Sequence, residues 1–129
     1  MSGPGSEALA RRLAQLADSK KAEEILVLDM RELVSYTDFL TICSARNERQ
    51  ARAIADEVRL QVKHEAGQLP SGVDGGVEAG WIVLDYLDCV LHVFTAEARE
   101  RYQLEDLWHE APRLELDLDA PEAPSAASA

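Results

Sequence analysis

Residues Trp81 to Phe94, WIVLDYLDCVLHVF, read as two short strands with a turn between them, and no other stretch constrains the fold as strongly. With Tyr86 and Leu87 as the loop pair, Asp85 faces Asp88, Leu84 faces Cys89, Val83 faces Val90, Ile82 faces Leu91 and Trp81 faces His92. One face then carries Ile82, Leu84, Cys89, Leu91 and Val93 with no polar group, as a sheet shows to its own core. The other carries Trp81, Val83, Asp85, Asp88, Val90, His92 and Phe94. A large aromatic, two carboxylates and an imidazole on one face belong either under a helix or on a binding surface. Tyr-Leu is a poor type I′ pair, because both central residues would need positive φ, so a longer loop or a bulge would shift this register.

A sheet with one apolar face needs helices to cover it, and the chain supplies three candidates. Leu9, Leu13, Leu16 and Ala17 recur at helical spacing over residues 7 to 17, behind Ser6 as a cap. Ala51, Ile54, Ala55, Val58 and Val62 mark a longer helix, with Asn47 and Gln50 in capping-box positions and Gly67 placed to end it. After the hairpin, Thr95 caps AEARERYQLEDLWHE, one helix or two short ones bearing Tyr102, Leu104, Leu107 and Trp108. Strands are expected in Ala22 to Met30, buried on both faces, and in Thr37 to Ala45. Gln68 to Gly80, with four glycines and a proline, reads as a loop, and RLELDLD from Arg113 as a brief edge strand. The order is α-β-β-α-β-β-α, an α+β domain with a mixed sheet flanked by helices. Residues 1–118 are expected to form this single domain and 119–129, mostly Ala, Pro and Ser with Asp119 and Glu122, a disordered acidic tail.

Charge restricts the partners. A net charge of −11 would be repelled by a phosphate backbone unless one face were strongly basic, so a neutral or basic partner is expected. No apolar run approaches the roughly 20 residues of a membrane span. The opening MSGPGSEALARRLAQLA lacks the apolar centre of a secretion signal, which makes the cytoplasm the expected location.

Cys43 and Cys89 are far apart, without CxxC spacing, and read as small buried apolar residues. Cys89 and His92, three apart on one strand, point to opposite faces and make no nucleophile pair. His64, His92 and His109 lie on separate elements without metal-ligand spacing. Asp85 and Asp88 flank a turn; the plain reading is turn-stabilising, solvated carboxylates, and the sharper ones are partner contact or a divalent cation. SGVDGG at 71 to 76 leads into no helix and so cradles no phosphate. No cofactor, metal or catalytic residue is assigned. Trp81 stays open between a core position and an interface anchor.

Four blocks, TDFLTIC, RNERQARAIADEV, GWIVLDYLDCVLHVF and ARERYQLEDLW, together resemble the Iojap-like ribosomal silencing factors, in the right order from Glu7 to Trp108. The resemblance implies a nucleotidyltransferase-like α/β domain that works by binding and not as an enzyme. It implies docking on the large-subunit ribosomal protein numbered fourteen at the intersubunit face, hindrance of small-subunit joining, and lowered translation when nutrients are scarce. Carried over, the hairpin block falls on Trp81, Asp85, Asp88 and His92, and the closing block on Tyr102, Leu104 and Trp108. With Val83 and with Glu78 from the glycine-rich loop, the hairpin residues form the expected partner-binding set. Leu87 stands where the family usually carries glycine at the turn. Two competing readings are a metal-dependent nucleotidyltransferase-type enzyme using Asp85 and Asp88, and a homodimeric scaffold.

Overall fold

The computed structural model describes residues 4–76 and 80–118. Helices α1 (Pro4–Ser19) and α2 (Glu48–Ala66) pack on one face of a five-stranded sheet. The strands are β1 (Glu23–Asp29), β2 (Phe39–Ala45), β3 (Gly72–Gly76), β4 (Trp81–Asp85) and β5 (Cys89–Thr95). Two short helices, α3 (Ala96–Tyr102) and α4 (Leu104–Leu107), lie on the other side. The sheet order is β1-β2-β5-β4-β3, with β2 parallel to β5 and every other pair antiparallel. This is the mixed, helix-flanked α+β architecture expected, with one strand more than the sequence indicated.

The additional strand is β3. Its five residues, GVDGG, were expected in a loop because glycine weakens a strand. Pairing with β4 over all five positions, Gly72 with Asp85 through Gly76 with Trp81, overrides that local preference. The strand expected after Arg113 reduces to one bridge, Leu28 with Arg113, after which Leu114, Leu116 and Leu118 pack against the core. β2 is buried at every residue, whereas β1, on the sheet edge, is buried only at Val27 and Leu28 and exposed at Glu23 and Glu24. The strand buried throughout is therefore β2 and not β1, since β2 lies inside the sheet and β1 at its edge. α1 begins before Ser6, which is a buried helical residue and not a cap. The tail from Asp119 lies outside the described residues.

Helix ends follow their local chemistry closely. The Asn47 side chain accepts from the Gln50 N–H at 2.8 Å, and Gln50 Oε1 accepts from the Arg46 N–H at 2.6 Å. At the other end Gly67, at φ 64°, donates its N–H to the Lys63 carbonyl. All five apolar positions expected to face inward on α2 are buried. Thr95 caps α3 by accepting from the Ala98 N–H, and the helix stops at Gln103, where φ is 50°. Gly80 needs its lack of a side chain: at φ 75°, an added Cβ would stand 2.7 Å from Thr95 Oγ1.

The hairpin register differs by two residues from the simplest reading. Asp85 pairs with Val90, Leu84 with Leu91, Val83 with His92, Ile82 with Val93 and Trp81 with Phe94. The Tyr86 N–H donates to the Cys89 carbonyl, so the loop pair is Leu87 and Asp88, and Asp88 does not oppose Asp85. A shift of two keeps every residue of the two strands on its assigned face, because side chains alternate with period two, while Asp88 moves into the turn. It also lets Tyr86 enter the core at 2% exposure, which a loop position would have denied it. Leu87 bears the consequence. Its φ is 73° and the Asp88 N–H donates to the Tyr86 carbonyl, two residues back, the pattern of the rare γ-turn with positive φ. Asp85 Oδ1 supports the turn by accepting from the Leu87 N–H at 2.7 Å.

Leu87→Gly is accordingly expected to stabilise the fold, by about 0.5 to 1 kcal/mol, since glycine relieves the left-handed strain at an exposed position. Urea melts of the two proteins check this; an unchanged or lower midpoint would show that the exposed leucine contributes contacts that offset its backbone strain.

Candidate partner-binding face

The sheet has two unequal faces. Ile82, Leu84, Tyr86, Cys89, Leu91 and Val93 join α1 and α2 in the larger core. On the opposite face Val90 and Phe94 pack with Leu28, Met30, Leu40, Ile42, Ala98 and Ala111 in a smaller one. Trp81, Val83, Leu104 and Trp108 lie at its margin, half-buried. α3 and α4 are short, and the described residues cover this side of β4 only in part.

Arg99 holds that cover in place. It is 6% exposed, donating from its guanidinium to Ser44 Oγ of β2 at 2.8 Å and to Glu105 of α4 at 3.1 Å. A buried arginine is stable only when its donors are satisfied, and here they join three elements. No local sequence signal distinguishes Arg99 from the other charges of ARERYQLED.

At the uncovered margin four rings meet. Trp81 stacks on Phe94 with centroids 4.9 Å apart and leans on Tyr102 at 4.8 Å, with His92 at 5.9 Å. The Trp81 Nε1–H donates to His92 Nδ1 at 3.0 Å, which defines the ring nitrogen that must stay unprotonated. Tyr102 is 44% exposed and is the outermost ring of the group. The sequence grouped Phe94 with this face but left Tyr102 out of the binding set, because α3 returns over the sheet only in the tertiary structure. Val83 and Asp85 continue the face along β4, half-buried. Asp88 is exposed at the turn, and its carbonyl accepts from the N–H groups of Asp38 and Phe39. Trp81, Val83, Asp85 and His92 thus lie together; Asp88 stands apart at the turn, and Glu78 lies outside the described residues.

Burial drives the His92 imidazole down to about 4, with the Asp85 carboxylate pulling weakly the other way. The neutral form is the folded one, while the unfolded chain takes up a proton near 6.5. Stability is therefore full above about pH 6.5 and falls as pH drops toward 4, in total by on the order of 3 kcal/mol. Urea melts at pH 7 and pH 5 should show this loss, reduced in His92→Phe. An equal loss in the variant would assign the slope to other groups.

The two cysteines are buried thiols. Burial raises both Cys43 and Cys89 to about 12, and the Cys89 thiol donates to the Ser6 carbonyl at 3.0 Å. Cys89 and His92 are on opposite faces, as the alternation required. His64 and His109 are exposed on separate elements. Among the described residues no three His, Cys, Asp or Glu side chains are grouped to hold a metal ion, and no helix is long and apolar enough to cross a membrane.

A helix-flanked mixed sheet with one half-open aromatic face defines a small α+β domain. The chain belongs to the ribosomal silencing factor family: the family model described as "Ribosomal silencing factor during starvation" matches residues 4–129. It is 39% identical to Ribosomal silencing factor RsfS of Halalkalibacterium halodurans, covering 83% of this chain and 94% of that one. Against the protein of the same name in Bacillus subtilis the identity is 38%, covering 81% and 87%. A crystal structure from Bacillus halodurans superposes with a TM-score of 0.71 at 35% identity, over 88% of this chain and all of that one. The relatives are named as silencing factors and not as enzymes.

Proposed function

We propose that this protein silences ribosomes by binding the large subunit and blocking its association with the small one when nutrients are limited. The partner is the large-subunit protein numbered fourteen at the intersubunit face, and the site of action is the cytoplasm. Family membership supports the class of activity, and the half-open face of Trp81, Val83, Asp85, His92 and Tyr102 supports the mode. An aromatic group beside a carboxylate, on a chain of charge −11, suits a basic protein surface better than exposed rRNA phosphates.

Asp85→Lys should weaken binding to purified large subunits at least tenfold at low salt, and the deficit should shrink as salt is raised. Because Asp85 also accepts the Leu87 N–H, Asp85→Asn serves as a control that keeps an acceptor and removes the charge. Co-sedimentation with large subunits measures both. Wild-type protein that fails to sediment with large subunits would end this reading, and full binding by Asp85→Lys would move the interface off β4.

A further inference from the structure

The two edges of the sheet are treated differently. Along β1 the outer edge is occupied: the Asp29 N–H donates to the Pro112 carbonyl at 2.7 Å and the Leu114 N–H to the Val27 carbonyl at 2.9 Å, on either side of the Leu28–Arg113 bridge. Its start is further disrupted by Glu24 at φ 50° and a register irregularity between Glu23 and Leu26, devices that keep a strand edge from pairing. Among the described residues β3, at the other end, pairs only with β4, and no described segment lies along its outer side.

Its composition sharpens the contrast. Three of five residues are glycine, no lysine or proline guards the edge, and Val73 is 49% exposed. At Gly72 the free chain gives no reason for glycine: φ is outside the left-handed range, and an added Cβ would meet only Asp85 Cβ at 4.0 Å. A side chain there would strengthen the strand, so bare backbone is kept at a cost in stability. An open edge presents unpaired main-chain N–H and C=O groups, which is what an incoming extended segment pairs with.

We infer that the outer edge of β3 is a docking edge that takes an extended segment of the basic partner as a sixth strand. This rests on the proposed function and adds the mode of attachment. The occupant is assigned by charge: the single ionisable residue of β3 is Asp74, the strand lies beside Asp85, and the chain carries −11, so charge favours a basic segment over a second copy. The edge also adjoins β4, the strand carrying Trp81, Val83 and Asp85, so one partner can engage the edge and the face together.

Successive residues of an edge strand turn their N–H groups alternately inward and outward, so of Val73→Pro and Asp74→Pro one spares the β4 ladder and one breaks it. The variant that keeps the wild-type melting temperature should bind purified large subunits at least tenfold more weakly. Amide exchange at residues 72–76 of the wild type should also slow when large subunits are added. Wild-type affinity in a fully folded proline variant, or unchanged exchange in a complex that does form, would overturn the docking edge while leaving the proposed function standing. Absence of any complex with wild-type protein would instead remove both. Loss of self-association in sedimentation, with subunit binding intact, would assign the edge to a second copy and overturn the inference as well.

Discussion

Leu84→Ala is expected to cost roughly 2 to 5 kcal/mol of folding stability, the largest effect of any single change considered for the hairpin. Leu84 is fully buried at the centre of β4, paired with Leu91 and enclosed in the larger core with α1 and α2. Truncation removes apolar area and leaves a cavity that a close-packed interior fills only in part. Asp88→Ala is the control: its side chain is exposed and only its backbone carbonyl ties the turn to Asp38 and Phe39, so a change within about 0.5 kcal/mol is expected. Urea unfolding of both variants gives the comparison. Small and equal costs would mean the core face has been assigned to the wrong side of the sheet.

Trp81→Ala should weaken binding to large subunits by about 2 kcal/mol or more, the loss typical of an aromatic hot spot. It should not leave the fold untouched, as a purely superficial anchor would. Trp81 stacks on Phe94 and Tyr102 and donates to His92, so its removal should also cost about 2 to 3 kcal/mol of stability. Trp81→Phe helps separate the two effects, since it keeps an aromatic ring against Phe94 while losing the N–H to His92 and part of the ring area. Binding is measured by co-sedimentation at a temperature where circular dichroism shows each variant folded. If folded Trp81→Ala binds as wild type does, the indole belongs to the smaller core alone and the interface lies elsewhere.

That tension was present in the sequence. Placing Trp81 with Val83, Asp85, His92 and Phe94 follows from alternation alone, because a period of two assigns each residue a face whatever the turn does. Whether the face is covered does not follow, since it depends on the length and path of α3 and α4. The structure gives an intermediate answer: Phe94 lies beneath the cover, Trp81 at its margin, and Tyr102 outermost.

Local signals carried far where local energetics dominate. The Asn47–Gln50 cap, the Gly67 stop, the five buried positions of α2 and the Thr95 cap each involve residues within a turn or two of one another. The apolar face of the hairpin and the burial of both cysteines followed from pattern and residue type. Three features depended on residues distant in the chain. β3 exists because β4 offers a ladder to a glycine-rich segment that would not hold strand conformation by itself. The hairpin register is two residues from the simplest one because the core takes in Tyr86, and a strained Leu87 turn is tolerated in exchange. Arg99 is structural because Ser44, 55 residues away, and Glu105 meet it at hydrogen-bonding distance. Short-range periodicity and capping thus determined the elements and their faces, while the covering of those faces came only from long-range packing, whose free energy no local stretch of the chain contains.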